Sequence, residues 1–142
     1  MSIYGRTAVA AELRQRLIAM PDASVRSDRA AGRVAVIIGV IFVVAGLVKF
    51  VFHAWELRAF RAFGLPWPEA LELFAGVLEV GGGALLIARS LVVPVSALLS
   101  ATMVVAIGAS GVGHGDLIPS LTLAPVLLGS LVWLTARSIK RR

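Results

Sequence analysis

The chain has 142 residues, 58% hydrophobic and 15% charged, with a mean hydropathy of +0.91, whereas a soluble domain is roughly 45–50% apolar and about 25% charged. So small a globule has too much surface for its volume to hide that much apolar side chain, which excludes a soluble enzyme and points to lipid as solvent. It has no cysteine, which removes disulfides, thiol redox chemistry and thiolate metal sites. Its net charge of +6 sits in basic runs that flank apolar segments, not in a patch interleaved with aromatics, and this excludes nucleic acid as a partner.

Residues 1–32 form a basic segment. Arg6, Arg14, Arg16, Arg26, Arg29 and Arg33 all precede the first apolar run. The segment is too long for a signal peptide and lacks a small-residue cleavage site. Residues 7–20 predict a helix with Val9, Leu13, Leu17 and Met20 on one face, Arg14 and Arg16 off it, and an end at Pro21-Asp22. Such a helix either lies on an anionic inner leaflet or docks on a partner protein. It adds no spanning area, so removing residues 1–30 is expected to leave the core inserted.

Four apolar stretches follow, at 34–52, 69–88, 91–113 and 117–136. Each is close to the roughly 20 residues that a helix needs to cross a ~30 Å hydrocarbon layer. The expected fold is therefore all-α, a four-transmembrane-helix bundle (33–138) with a short cytoplasmic amphipathic N-terminal helix and a basic tail at 139–142. Residues 53–68 read as a connection whose Trp55, Phe60, Phe63 and Trp67 suit a membrane interface. Pro66 and Pro68 mark the turn that opens the second helix. Arg89-Ser90 is a tight link, Pro94 lies in the opening turn of the third helix, and residues 111–116 form the loop before the fourth. Pro125 is read as a kink inside that last helix, freeing the carbonyl of Leu121, and Asp116 as the cap at its start. Ser96/Ser100 and Ala97/Ala101 are small-residue packing faces on the third. Eleven basic residues fall on the side of the termini and two, Arg58 and Arg61, on the other. The positive-inside rule then places both termini in the cytoplasm of a bacterial-type inner membrane.

Three ionisable residues lie inside the spans: Lys49, Glu72 and Glu79. Each costs about 2.5–3.5 kcal/mol at a helix centre on insertion scales, so each needs a partner or a purpose. Gly39, Phe42, Gly46 and Lys49 share one face of the first helix, and Glu72, Gly76, Glu79 and Gly83 one face of the second. Both faces carry small residues, so the two are expected to pack together and enclose the charges. Helical side chains lean toward their own N-terminus, which lets Lys49 reach either carboxylate. Three readings stay open. The charges form a structural ion pair that fixes register; Lys49 snorkels to the headgroups; or the cluster is a polar site for a quinone head group, a proton relay or a small ligand, with Glu79 its leading residue. His53 and His114 read as interfacial or loop-capping groups, because a bis-histidine haem would need them on facing helices at matched depth. No metal ligand set is expected.

At these residues the chain resembles the DoxX/DoxX-like family of small four-helix membrane proteins. The matching pieces are Gly39, Phe42 with Ala45-Gly46-Leu47-Val48-Lys49-Phe50, the Phe63-Gly64-Leu65-Pro66 turn, Gly76-Val77-Leu78-Glu79-Val80-Gly81-Gly82, and Gly113-His114-Gly115-Asp116 ahead of a proline-containing last helix. The likeness covers about residues 33–138. In one departure, Phe50-Val51-Phe52-His53-Ala54 continues apolar where family members often turn after the lysine. The resemblance implies membrane subunits linked to quinone-dependent respiratory or thiosulfate oxidation, with Lys49 and Glu79 at the family's embedded charged positions. On that basis the chain is expected to be an accessory or anchoring subunit of a redox-linked, quinone-associated complex and not an enzyme on its own. Its partners would be the bilayer and a membrane or membrane-associated protein, a redox enzyme being one candidate. Quinone is the candidate cofactor, with none bound covalently or by metal ligands. The alternatives are a non-redox scaffold or assembly factor that recruits a partner, and a small-molecule permease.

Overall fold

The computed structural model describes residues 3–112 and 122–140, and every regular element in them is helical. In chain order these are α1 (Ile3–Arg14), a π-helical turn (Gln15–Ala19), α2 (Met20–Ser27), α3 (Arg29–Val51), α4 (His53–Ala62), α5 (Pro68–Ile87), α6 (Val92–Ala106) prolonged by a π-helical stretch (Ile107–Val112), and α7 (Leu123–Lys140). Four of them are long and apolar enough to cross a membrane: α3, α5, α6 with its extension, and α7. The described residues thus form an all-α membrane bundle of four spans.

Local chemistry explains where the spans begin. The Asp28 carboxylate accepts from the N–H groups of Ala30, at 2.9 Å, and Ala31, at 3.4 Å. This N-cap satisfies donors with no partner inside the helix, so α3 starts at Arg29, five residues ahead of the apolar run. Helix α3 ends at Val51, where Phe52 leaves helical geometry. The connection read as a loop then coils again as α4, whose Ala54, Glu56, Leu57, Arg58, Ala59 and Ala62 are strong helix formers. Pro68 takes the first position of α5 after Trp67, which has φ 45°. Arg89 and Leu91 also take positive φ, 52° and 54°, and this left-handed geometry reverses the chain within four residues.

Helix α7 begins at Leu123, so Pro125 falls in its opening turn and not in mid-helix. The first four N–H groups of a helix lack partners in any case, so the missing donor of Pro125 costs little and no kink follows. Of the expected loop at 111–116, Gly111 and Val112 still belong to the π-helical stretch, while residues 113–116, with His114 and Asp116, and the Leu121 carbonyl lie outside the described residues.

Helices α3 and α5 run antiparallel in the closest contact of the bundle. A Cβ added to Gly39 would lie 2.6 Å from the Gly83 carbonyl oxygen, and one on Gly83 would lie 2.6 Å from that of Gly39. One on Gly46 would meet the Gly76 oxygen at 2.8 Å. The backbones approach so closely only because these faces carry no side chain there. Phe42, Leu86, Leu99, Leu131 and Leu134 fill the core between the four spans, while Ile37, Val44, Phe74, Leu98, Val104 and Val132 look outward.

The N-terminal segment departs from the sequence reading. Its helix does not end at Pro21-Asp22: it passes through the π-helical turn and continues to Ser27. The Asp22 carboxylate accepts from the N–H groups of Leu91, at 2.8 Å, and Val92, at 2.9 Å, and so caps α6 from some 70 residues away. Val25 is fully buried, and Arg26 Nε donates to the Arg89 carbonyl at 3.3 Å. Residues 21–28 therefore belong to the core, against the expectation that residues 1–30 are separable from it.

Candidate functional site

Four ionisable side chains meet at the end of the α3–α5 seam away from the termini. The register that sets Gly39 against Gly83 and Gly46 against Gly76 puts Glu79 roughly 9 Å from Lys49 in depth, at ~1.5 Å per residue. Lys49 leans back along α3 and Glu79 back along α5, because side chains tilt toward their helix's N-terminus. The two leans converge, and Lys49 Nζ lies 3.1 Å from Glu79 Oε2. The pair is withdrawn from solvent, with 16% and 6% of the side chains exposed.

Glu72 does not join Lys49. Its Oε2 lies 2.8 Å from Nδ1 of His53 at the start of α4, and its Oε1 is buried without a hydrogen-bond partner. Glu72 is 1% exposed along its side chain and His53 56%, so a fully buried carboxylate is bonded to a ring that opens outward. The ring of Phe50 ends against Gly76, which lies between the two glutamates on α5 and separates the two pairs. His53 follows Lys49 by one helical turn. That spacing is visible in the sequence, but its importance depends on the register of α5.

Beside the Lys49–Glu79 pair is a cavity of about 410 Å³, within the range of ligand pockets. Its walls come from α4, α5 and α6. Trp55, Phe60 and Phe63 cover it, Leu71, Phe74 and Leu78 line one side, and Leu98, Thr102 and Val105 the other. Glu56 also borders it. The Thr102 hydroxyl is tied back to the Leu99 carbonyl at 2.7 Å. An ion pair between Arg61 and Glu69, at 2.6 Å, holds the end of α4 against the start of α5. The rim residues Trp55, Phe74, Leu98 and Val105 are exposed, and the last three sit on spanning helices, so the cavity opens toward lipid. Sequence reasoning named Lys49, Glu72 and Glu79 but missed the role of α4, because the cover exists only once that helix folds back over α5.

At the other end of the bundle the buried carboxylates are bonded, while the Ser96 hydroxyl is buried without a hydrogen-bond partner. Asp28 is held below the usual carboxylate range by its hydrogen bond from the Arg137 guanidinium, and the N–H groups of Ala31 and Ala30 act in the same direction. The Arg137 guanidinium also lies 5.2 Å from the centre of the Trp133 ring. Among the described residues no group of His, Asp and Glu is arranged to hold a metal ion.

The family model described as DoxX matches residues 31–114, which spans α3 to α6 and includes every charged residue of the site. No curated protein and no solved structure matches the chain.

Proposed function

Because the chain belongs to the DoxX family, we propose that it works as an accessory membrane subunit of a redox-linked complex and receives the head group of a membrane quinone beside Lys49 and Glu79. The observation that carries this reading is the cavity: apolar and aromatic walls, a lipid-facing rim, and one ion pair as its polar feature of both signs. A ligand that lives in the bilayer enters such a pocket without crossing water. Lys49 donates to a quinone carbonyl, and Glu79 accepts from the hydroxyl of the reduced form, so the pair suits a ring that carries oxygens in either state. The aromatic cover favours a flat ring through edge and stacking contacts. In this reading the electrons come from a partner enzyme, and the chain supplies site and anchorage. The eleven-to-two distribution of basic residues supports a topology in which both termini face the cytoplasm.

Purification in mild detergent followed by solvent extraction tests the proposal. Quinone should co-purify near one per chain, and the doubly substituted Lys49→Met, Glu79→Gln protein should retain its fold and lose the quinone. A folded wild-type chain that carries no quinone and does not bind added decylubiquinone overturns the reading.

A further inference from the structure

Helix α1 and the π-helical turn after it carry an apolar stripe that the bundle leaves uncovered. Val9, Leu13 and Leu17 are each about half exposed, and α1 packs on the rest of the chain chiefly through the π-helical turn that follows it. Helix α2 is different, with Pro21, Asp22 and Val25 buried and Asp22 holding the first N–H groups of α6. Because α6 is a membrane span that starts at Val92, α2 sits at one boundary of the membrane and α1 leaves from that level.

Helical phase decides which way the stripe looks. With 3.6 residues per turn, Val9 and Leu13 would lie on the side of the helix opposite the buried face of α2, away from the spans. The wider i→i+5 turn at Gln15–Ala19 takes in about one extra residue, which rotates α1 back by roughly a quarter revolution. That rotation swings Val9 and Leu13 round toward the side on which α2 meets the spanning helices.

Charge identifies the occupant. The described acids at this end are Glu12, Asp22 and Asp28. Asp22 and Asp28 are buried and bonded within the fold, and Glu12 lies 2.7 Å from Arg16. Nine described basic residues stand against them, Arg6, Arg14 and Arg29 among them. With its acids engaged internally, this end presents almost unopposed positive charge beside an exposed apolar stripe, the two features that bind a helix to an acidic lipid surface.

We propose that α1 lies on the surface of the membrane the bundle spans, with Val9, Leu13 and Leu17 in the headgroup–acyl boundary of an acidic leaflet and its arginines on the lipid phosphates, the π-helical turn setting that orientation. The segment lies outside residues 31–114, the range that the DoxX model matches.

The chain has no cysteine, so Leu13→Cys in the full protein accepts a single polarity-sensitive fluorophore. In nanodiscs containing phosphatidylglycerol, emission should shift to the blue and a lipid-borne quencher should dim it several-fold more than a label at Glu12→Cys. Neutral phosphatidylcholine discs, high salt, and the double substitution Arg6→Gln, Arg14→Gln should each reduce the quenching. Deleting Gln15, which restores the ordinary helical spacing, should turn the Leu13 label toward water. Two results overturn the proposal. A water-like signal in both lipids would assign the stripe to a protein partner. Equal immersion in neutral and acidic discs at every salt concentration would show that the charge plays no part.

Discussion

Asp22 and Asp28 at the end that holds the termini, and Glu72 and Glu79 at the far end of the α3–α5 seam, are all carboxylates withdrawn from water in one bundle, yet they are bonded differently. Each oxygen of Asp22 accepts a backbone N–H of α6. Asp28 gives one oxygen to the first turn of α3 and the other to Arg137. At the far end Glu72 keeps one oxygen buried without a partner, and Glu79 stands with Lys49 at the edge of a cavity. Buried polar groups in folded proteins are bonded almost without exception. The carboxylates of the first end follow that rule and pin α2, α3, α6 and α7 together, although the Ser96 hydroxyl nearby is buried without a partner; at the second end a carboxylate itself departs from the rule, at the place where a ligand could complete the bonding.

The strongest way to break this contrast is to strand a charge. Lys49→Met or Glu79→Gln leaves one member of a buried pair alone, which costs about 3–5 kcal/mol, whereas replacing both can be nearly neutral. Thermal unfolding in detergent should show two destabilised single variants and a double variant that recovers most of the loss. If both single variants matched the wild type, the pair would not be a buried one.

Truncation sharpens the other side. Removing residues 1–20 leaves Asp22, Val25 and Asp28 in place and should hardly change the melting temperature. Removing residues 1–28 takes away a fully buried valine, about 1.5–3 kcal/mol of burial, and the Asp22 and Asp28 caps on α6 and α3, about 1 kcal/mol each. A loss of about 4 kcal/mol is expected between the two truncated chains, read from the same melts. Equal stability would mean that the segment only rests on the bundle.

Between the two ends, Gly39→Ala tests the seam that joins them. Its methyl would meet the Gly83 carbonyl at 2.6 Å, a backbone atom that cannot swing aside, so the helices must part at a cost of about 1–3 kcal/mol. The same substitution at Gly81, where a Cβ meets nothing within 4 Å, should be neutral.

The smallest effect concerns acid. Arg137 holds the Asp28 carboxyl below its ordinary range. Its contribution to stability is present above the unfolded value, about pH 4, and is lost as pH falls through the lower folded value. Arg137→Met should lower stability modestly at neutral pH and flatten its fall below about pH 4, so that the two proteins converge in acid. Sidedness completes the comparison: a cysteine at Arg58 should react with an impermeant reagent from outside, and one at Ser138 should not. The reverse pattern would invert the proposed topology.

Much of this contrast was present in the sequence. The four spans follow from composition and length, because the cost of leaving apolar residues in water belongs to each residue wherever it sits. The facing of Gly39, Gly46 and Lys49 toward Gly76, Glu79 and Gly83 followed from spacing alone, since helical periodicity is local. Other features were out of reach. Nothing near Asp22 announces that its carboxylate caps Leu91 and Val92. The His53–Glu72 bond depends on the register of two helices, and the cavity on where α4 comes to rest over α5 and α6. Even Pro21, read as a stop, is carried within a continuing helix that the core holds in place at Val25. The sequence by itself determined the solvent of this protein, its number of spans and the faces they turn to each other. Tertiary structure alone decided which carboxylates are fully bonded and which border an open pocket, because a hydrogen-bond partner is a matter of position in space and not of neighbourhood along the chain.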